Sequence, residues 1–305
     1  MTWFEELDKR IRAELPELRT DRDEPMSRHT SFRIGGPARR IAYPSGAGQL
    51  TKLLRAAQEC GARPLVIGNG TNLLVPDAGL DRLVVETSDG MNHLSAEQDC
   101  RIRAESGVSL AHLADFAQRR GLAGLEFAHG IPGTVGGGCC MNAGAYGGEI
   151  RQTAQSVVVL DSALSAKRLD GGEMDFGYRR SILTDHPDWV VLEAVFALEP
   201  GDPDAIRARM KELMARRKAS QPLEYPSAGS TFKRPEGYFA GTLIDQCGLK
   251  GLTVGGAQVS EKHAGFLINR GGATFSDVLE LIELVQERVF RETGVQLEPE
   301  VRIIR

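Results

Sequence analysis

The stretch 129–148 (HGIPGTVGGGCCMNAGAYGG) contains an unusual share of the glycines of this chain. Glycine has no Cβ atom, so it adopts positive φ angles without strain and lets backbone N–H groups approach an anion closely. Pro132 fixes the backbone at the entry of the turn. Mobile loops are usually rich in small polar and charged residues, whereas this stretch is nearly uncharged and includes Ile131 and Val135. We therefore predict an ordered phosphate-binding loop rather than a flexible surface loop. The glycines that can adopt positive φ in this stretch are Gly133, Gly136, Gly137, Gly138 and Gly144.

Composition limits the classes of partner. The chain has 305 residues, 41% of them hydrophobic and 26% charged, which is an ordinary balance for a globular protein of two or three domains. The formal net charge is -4 and the isoelectric point is about 5.9. Proteins that bind nucleic acid or anionic membranes need a basic surface, so we expect neither partner.

Cysteine usage and the N-terminal residues indicate a cytoplasmic protein. The chain has five cysteines, an odd number, and none of them form a CxxC pair. This pattern predicts free thiols in a reducing compartment and no metal site. The first residues include acids where a secretion signal has bases, and no apolar run approaches the length needed to cross a membrane.

Strand and helix patterns alternate along the chain, which favours an α/β organisation. Thr2 and Glu5 form a capping-box pattern for a first helix, Ser109 is expected to cap another, and Asp202 with Pro203 begins a third. Thr274 with Asp277 predicts the start of a long helix that ends at Gly294. The predicted strands are 64–68, 83–86, 100–105, 156–161, 167–170, 189–199 and 295–304. We place a domain boundary near residue 200.

A second glycine loop, 68–74 (GNGTNLL), directly follows a predicted strand. It does not fit the dinucleotide fingerprint GxGxxG, because Leu73 stands at the third glycine position and no helix pattern opens there. Side-chain donors at Asn69, Thr71 and Asn72 beside Gly68 and Gly70 predict a second phosphate or ring contact. An Asn-Gly turn between strands is the alternative, and the residues alone leave both open.

Two further features include chemically useful side chains. Ser230 lies in a loop of small residues but lacks the strand–GxSxG–helix setting of a hydrolase nucleophile, so we expect it to donate a hydrogen bond or a proton. In the last predicted strand, period-two alternation places Glu300 and Arg302 on one face, opposite Val301 and its apolar neighbours. Such a pair on a solvated strand face is ordinary, and it gains significance only if that face meets a ligand.

Together these residues resemble the UDP-N-acetylenolpyruvoylglucosamine reductase family of peptidoglycan precursor synthesis. The resemblance extends from about residue 28 to the C-terminus. The interval between Arg179 and Ser230 is short, as in the branch of the family that lacks an extra tyrosine-bearing substrate loop. The motifs are 30–38 (TSFRIGGPA), 68–74 (GNGTNLL), 130–137 (GIPGTVGG), 141–147 (MNAGAYG), 178–181 (YRRS), 228–233 (AGSTFK), 248–251 (GLKG) and 298–302 (EPEVR).

The resemblance implies a mixed α+β and α/β fold. Two small FAD-binding subdomains of the vanillyl-alcohol-oxidase (PCMH) type, at 1–85 and 86–200, would precede a C-terminal α/β domain for the UDP-sugar at 201–305. It also implies noncovalent FAD, NADPH as reductant and UDP-GlcNAc-enolpyruvate as substrate, which is reduced to UDP-N-acetylmuramate. NADPH would reduce the flavin and leave before the substrate binds on the same side of the ring, so no separate nucleotide fold is expected. We expect a monomer.

Motif positions imply residue roles. Ser230 matches the serine that protonates the enol carbon, and Arg179 and Glu300 match the groups that stabilise the enolate. Tyr146, Lys218 and Lys233 are our candidates for the substrate's diphosphate or carboxylate. The residues expected at the FAD are Gly68, Asn69, Gly70, Thr71, Asn72, Leu73, Gly130, Pro132, Gly133, Thr134, Gly136, Gly137, Ala143, Gly144 and Arg302.

The chain departs from the family pattern at three positions. His29 stands where asparagine is common, and Cys139 and Cys140 replace small or aliphatic residues; we expect tolerated packing changes. His129 lies in a glycine loop and could suggest a covalent flavin, but we interpret it as a turn histidine. Two alternative functions remain: an oxidase or dehydrogenase on the same flavin scaffold, which would not need the Ser230, Arg179 and Glu300 triplet, and a non-enzymatic nucleotide-sugar sensor.

Overall fold

The computed structural model describes residues 2–305, which form two compact units. The first unit contains the chain up to Arg22 together with 40–69 and 82–215. The second contains 23–39, 70–81 and 216–305. Each unit is discontinuous in sequence, because short segments of the first eighty residues belong with the C-terminal third of the chain.

Eight α-helices and eighteen β-strands lie within residues 2–305. The helices are α1 (Trp3–Glu14), α2 (Ala47–Glu59), α3 (Leu110–Arg119), α4 (Val135–Met141), α5 (Ile182–Asp185), α6 (Pro203–Ser220), α7 (Ala240–Gln246) and α8 (Phe275–Thr293). The strands of the first half are β1 (Arg19–Pro25), β2 (Pro37–Tyr43), β3 (Leu65–Ile67), β4 (Leu73–Leu74), β5 (Leu80–Glu86), β6 (Leu94–Glu97), β7 (Arg101–Glu105), β8 (Leu122–Ala123), β9 (Gly144–Ala145) and β10 (Gly148–Glu149). The others are β11 (Ala154–Leu160), β12 (Ala166–Asp170), β13 (Val190–Ala197), β14 (Glu199–Pro200), β15 (Thr253–Val254), β16 (Ala257–Val259), β17 (Leu267–Asn269) and β18 (Arg302–Ile303).

A five-stranded antiparallel sheet in the first unit has the order β12-β11-β13-β7-β6. Its buried face forms one hydrophobic core together with residues of α3, α4 and α6. Val157 and Val159 of β11 are fully buried, as the alternation of a one-sided sheet requires. The short helix α4 packs against β13 and β7, so the glycine-rich stretch rests on this sheet.

A second core of the first unit contains residues of α1 and α2. Leu7 and Leu53 are fully buried there, together with Leu83 and Val85 of β5. The sheet order is β1-β2-β5-β3, and β3 and β5 run parallel. The predicted capping box is confirmed at α1, where the Glu5 carboxylate accepts a hydrogen bond of 2.8 Å from the Thr2 N–H.

The second unit has its own core, formed by α7, α8 and the sheet β15-β16-β17. The predicted signals of α8 are confirmed: the Thr274 hydroxyl accepts from the Asp277 N–H at 3.1 Å, and Gly294 follows the helix at φ 73°. The Asp277 carboxylate accepts from the N–H groups of Thr274 and Gly256, and these bonds lower the pKa of Asp277.

One expectation about strands is wrong, and one strand is missing from the predictions. The predicted strand 295–304 shrinks to β18, Arg302–Ile303, because Pro299 has no N–H and forms only an isolated pairing with Phe232. Strand β1 was not predicted at all. It is an edge strand rich in charged residues, so it shows no apolar alternation, and such charges discourage edge-to-edge association. Among residues 2–305, no helix combines the length and apolarity needed to cross a membrane.

A nearly buried ion pair joins α1 to β2. The Arg40 guanidinium donates to the Asp8 carboxylate, with Nε 2.6 Å from Oδ1, and their side chains are only 5% and 11% exposed. Burial by itself raises the pKa of Asp8, but the hydrogen bond and positive charge of Arg40 outweigh it and hold that pKa below its ordinary value. The Asp8 carboxylate also accepts from the exposed Arg22 guanidinium at 2.9 Å.

We predict that Asp8→Asn lowers the free energy of unfolding by about 3–5 kcal/mol, because it removes the negative charge that faces the nearly buried Arg40 guanidinium. The matched control is Asp81→Asn, which removes an exposed partner of Arg39 and should cost less than about 1 kcal/mol. Because the folded-state pKa of Asp8 is lowered, its contribution is complete at neutral pH and is lost as pH falls below about 3.9. Urea unfolding at pH 7 and pH 3 measures both effects; equal losses in the two variants would contradict the assignment.

Candidate functional site

The two glycine-rich segments meet in the first unit. Gly68 directly follows β3, and a Cβ atom built on it would lie 2.2 Å from Thr134 Oγ1. Real atoms cannot approach so closely, so only glycine fits at position 68. Thr134 is itself the N-cap of α4, and its hydroxyl lies 3.5 Å from the Gly137 N–H. The contact confirms that the segments which the sequence singled out are neighbours.

Of the five glycines that can adopt positive φ in the first glycine segment, only Gly133 does so. Gly133 has φ 133°, but Gly136, Gly137 and Gly138 are helical and Gly144 lies in β9. Backbone hydrogen bonds explain the helix: the Gly136 N–H donates to Ser106 O at 2.8 Å, and that of Val135 donates to Val108 O at 2.8 Å.

The helical glycines differ in their surroundings. A Cβ atom on Gly136 would lie 3.0 Å from Ser106 Cβ, so this glycine allows α4 to pack on the turn after β7. Gly137 is exposed, and a Cβ atom there would meet nothing closer than Thr134 Oγ1 at 3.8 Å. The open position of Gly137 is therefore the place on α4 where another molecule could approach the backbone. Gly130 and Pro132 lie just before it, and Pro132 is exposed.

Tyr146 lies at the tip of a tight hairpin. Strands β9 and β10 are antiparallel, and the two residues between them, Tyr146 and Gly147, have φ 54° and 86°. Positive φ at both central residues is typical of a type I′ turn. A tyrosine in this conformation is uncommon, so the surrounding contacts must stabilise it. Ala143 precedes the hairpin and is half-buried.

Arg179 also lies at a turn with positive φ, 54°. The turn is closed by paired Gly177 and Arg180. The Arg179 guanidinium donates to Gly144 O at 3.1 Å, which joins this turn to the Tyr146 hairpin. The structure therefore brings together, within the first unit, the predicted enolate-stabilising arginine and the predicted substrate-binding tyrosine.

In the second unit, Ser230 and Glu300 are linked through one residue. Ser230 is exposed and pairs with Phe266. The next residue, Thr231, is 1% exposed. Its N–H donates to Gly265 O at 2.8 Å and its carbonyl accepts from the Glu300 N–H at 2.7 Å. Two of the three predicted catalytic residues thus lie on adjacent chain segments.

The loop after Gly68 meets the same C-terminal segment. The Asn72 side-chain amide donates to Glu300 O at 3.0 Å, and Asn72 O accepts from the Arg302 N–H at 2.9 Å. Leu73 is buried and pairs with Arg302 between parallel β4 and β18. A Cβ atom on Gly70 would lie 1.9 Å from His29 O, which makes glycine obligatory there.

The remaining predicted residues vary in exposure. Asn69 and Lys218 are exposed, and Thr71 is half-buried. The Lys218 carbonyl accepts from Lys262 Nζ at 2.7 Å. Lys233 is half-buried, and its Nζ lies 3.2 Å from Glu298 Oε2, so its ammonium already has a carboxylate neighbour.

Sequence reasoning missed three residues that organise these segments: Thr231, Asn142 and His263. His263 Nδ1 accepts from the Gly265 N–H at 3.2 Å, beside the carbonyl that binds Thr231. Burial lowers the pKa of His263, which favours the neutral ring that this bond requires. Thr231 and Asn142 do lie inside recognised motifs, but a motif alone does not reveal which of its residues point inward.

The unusual cysteines and histidines of the chain have packing roles. Cys139 is fully buried, and burial together with the neighbouring Cys140 thiol raises its pKa to about 12, so it is an unreactive thiol. All five cysteines are free. His29 Nε2 lies 3.4 Å from Glu24 Oε1, and His129 Nδ1 lies 3.3 Å from Asp115 Oδ1.

Comparison with known proteins first defines a class. The model of an FAD binding domain matches residues 38–164, which include both glycine segments. A separate model, described as the C-terminal domain of UDP-N-acetylenolpyruvoylglucosamine reductase, matches residues 221–304 and includes Ser230 and Glu300. The chain is thus an FAD-dependent oxidoreductase with an additional C-terminal domain.

Whole-chain similarity then defines the family. The UDP-N-acetylenolpyruvoylglucosamine reductase of Caldanaerobacter subterraneus subsp. tengcongensis is 49% identical over 92% of both chains. The protein of the same name from Agathobacter rectalis is 48% identical over 97% of both. The crystal structure of the Thermus caldophilus reductase has a TM-score of 0.81 at 34% identity and covers 94% of this chain and 100% of that one. The chain belongs to the UDP-N-acetylenolpyruvoylglucosamine reductase family, and the predicted fold class and FAD cofactor are confirmed.

Proposed function

We propose that this chain reduces UDP-GlcNAc-enolpyruvate to UDP-N-acetylmuramate with NADPH, through noncovalent FAD, as a cytoplasmic step of peptidoglycan precursor synthesis. The observation that most supports this proposal is the link between Ser230 and Glu300 through Thr231. A general flavin scaffold does not require that serine and that acid on adjacent segments. The alternatives, an oxidase and a nucleotide-sugar sensor, leave the arrangement unexplained.

The two domain matches, at residues 38–164 and 221–304, support a division of functions along the chain. We propose that 1–85 and 86–200 are the two FAD-binding subdomains and that 201–305 binds the UDP-sugar. The residues proposed at the FAD are those named from the sequence in the segments 68–73, 130–137 and 143–144, with Arg302. Gly137 fits this role because its backbone is open to an approaching ligand. Tyr146, Lys218 and Lys233 are proposed for the substrate's charged groups, in a monomeric enzyme.

Once reduced by NADPH, bound FAD would supply the hydride that adds to the vinyl carbon of the substrate. The addition places negative charge on the substrate's carboxylate as an enolate. We assign Arg179 and Glu300 to the stabilisation of this form, the arginine as a fixed cation. Groups aimed at charge that develops during the reaction lower its barrier more than groups that bind substrate and transition state equally.

Ser230 completes the proposed reaction by protonating the enolate carbon. Its exposure leaves the hydroxyl accessible to a ligand. A serine hydroxyl is a weak acid, so a neighbour must assist the transfer. Glu300 and Lys233 are the candidates for this neighbour. The Lys233 ammonium lies beside the Glu298 carboxylate. The backbone of Glu300 is hydrogen-bonded to Thr231, the residue after Ser230.

Anaerobic spectroscopy tests the function. We expect the purified protein to be yellow, to bleach with NADPH and to regain its colour when UDP-GlcNAc-enolpyruvate is added. Heat denaturation should release free FAD into the supernatant, since the cofactor is proposed to be noncovalent. An oxidase would instead regain colour with oxygen after reduction by an alcohol-bearing substrate, and a sensor would be colourless.

Substitution of Gly137 tests the FAD-binding role of α4. Gly137→Val should weaken FAD binding by at least about tenfold, since a branched side chain would cover the open backbone. Gly137→Ala should stabilise the apoprotein by up to about 1 kcal/mol, because alanine favours the helix more than glycine does. Fluorescence titration of apoprotein with FAD and thermal unfolding measure these effects.

The control for Gly137 is Gly48 in α2, which is also helical and exposed with no atom within 4 Å of a built Cβ. Gly48→Val should leave FAD affinity unchanged. Wild-type FAD affinity in Gly137→Val would remove α4 from the proposed cofactor site.

Removal of the Ser230 hydroxyl tests the proton donor. Ser230→Ala should slow flavin reoxidation by the enolpyruvyl substrate by roughly a hundredfold to ten-thousandfold, the usual contribution of general acid catalysis. Reduction by NADPH should stay near the wild-type rate, because the hydroxyl acts only after hydride transfer. Stopped-flow absorbance measures both half-reactions, and wild type should show a solvent deuterium isotope effect on reoxidation.

Ser227→Ala, in the same loop, is the matched control and should reoxidise normally. If Ser230→Ala reoxidises as fast as wild type, the proton comes from another donor, such as a water molecule held by Glu300.

A further inference from the structure

Asn142 ends the glycine-rich helix in an unusual conformation. It follows α4 with φ 42° and ψ 59°, in the left-handed region, and it is 1% exposed. Asparagine tolerates this conformation better than most residues but less well than glycine. A buried amide stands at a position where glycine would suit the backbone better, which indicates that the side chain has a structural function.

The Asn142 side chain makes three hydrogen bonds to two separate segments, 149–151 and Gly177. Its Nδ2 donates to Glu149 Oε2 at 2.9 Å and to Gly177 O at 2.9 Å. Its Oδ1 accepts from the Arg151 N–H at 3.0 Å. Both amide donors and the acceptor oxygen are engaged, so the side chain has one defined orientation.

These partners lie at the bases of two turns. Glu149 ends the hairpin whose tip is Tyr146, and Gly177 begins the turn that contains Arg179. Both tip residues have φ 54°. Residues persist in such sparsely populated conformations only where their surroundings over-determine them. The Asn142 amide lies between the two turns and fixes both.

We propose that Asn142 is a positioning residue for Arg179: it sets the Arg179 turn relative to the Tyr146 hairpin so that the guanidinium is aimed at the substrate. This inference rests on the proposed function for the role of Arg179. Asn142 is 1% exposed and acts through hydrogen bonds to the backbone and to Glu149. Small displacements of an aligned catalytic group strongly reduce reaction rates. The loss of the Asn142 side chain should therefore slow the step that uses Arg179.

Two substitutions remove the hydrogen bonds in different ways. Asn142→Gly keeps the left-handed backbone favourable and deletes all three bonds, so any loss is not due to backbone strain. Asn142→Asp keeps the shape but replaces the donor by oxygen facing Glu149 and Gly177 O. In both variants we expect flavin reoxidation by the enolpyruvyl substrate to slow by roughly tenfold to a hundredfold, with NADPH reduction near wild type.

The matched control is Gln118→Leu. Gln118 is also a buried amide of the first unit, and its Nε2 donates to Pro203 O at 2.9 Å, away from both turns. It should lower the melting temperature without altering either half-reaction. If Asn142→Gly impairs both half-reactions equally, or neither, the positioning role is wrong.

A double-mutant cycle with Arg179→Ala tests whether Asn142 acts through the arginine. Asn142→Gly should slow wild type but cause little further loss in Arg179→Ala. Equal loss in both backgrounds would overturn the inference and leave the role of Arg179 intact. Normal reoxidation by Arg179→Ala alone would instead overturn the proposed role of Arg179, and with it the inference.

Limited proteolysis provides a readout that does not depend on catalysis. In Asn142→Gly apoprotein, trypsin should cleave after Arg179 or Arg180 several-fold faster than in wild type, because the turn has lost the bond to Gly177 O. Mass spectrometry identifies the cleavage site. Unchanged cleavage at this turn would show that Asn142 does not hold it.

Discussion

The approach of Thr134 to Gly68 is the constraint on which the candidate cofactor region of the first unit depends. A strand end and a helix start can lie this close only because position 68 has no side chain, and the Thr134 hydroxyl occupies the space that a Cβ atom would need. The same hydroxyl caps α4. The helix in turn directs the chain into the hairpin and, through Asn142, reaches the Arg179 turn. The absence of a side chain at Gly68 therefore permits a series of contacts that ends at the turn of Arg179, a candidate catalytic residue.

In the second unit, backbone hydrogen bonds fix the position of a candidate catalytic residue, Glu300. The Thr231 carbonyl accepts from Glu300, and the Asn72 amide donates to the carbonyl of the same residue. Glu300 is thus held on both sides by its own N–H and carbonyl groups. Main-chain hydrogen bonds fix the position of a residue more precisely than contacts of a long, flexible side chain do. A reactive group on such a residue is therefore well positioned.

Much of this organisation could be predicted from the sequence. Helix caps such as Thr274 and Gly294 are local signals, so their positions were correct. The two glycine segments both lie within the residues that match an FAD binding domain. Conformation inside those segments could not be predicted, because φ at Gly136 depends on a hydrogen bond to Ser106, a residue thirty positions away. The predicted length of the final strand was wrong for a related reason. Alternation predicts which residues face the core, but it does not predict whether a partner strand lies beside them. Likewise, no local sequence pattern around Asn142 predicts its three hydrogen bonds. The assignment of catalytic roles stays a prediction from motif positions.

The discontinuous second unit affects how the chain reaches its fold. Phe32, Ile34 and Leu74 are buried in a core whose other members all lie beyond residue 227. During synthesis at roughly 5–20 residues per second, these three side chains wait on the order of 10–40 s for about 200 later residues to emerge. For that interval they are apolar groups without their core, open to chaperones and to other nascent chains. An enzyme with this topology is therefore expected to be more sensitive to translation speed and to chaperone supply than its folded stability alone would indicate.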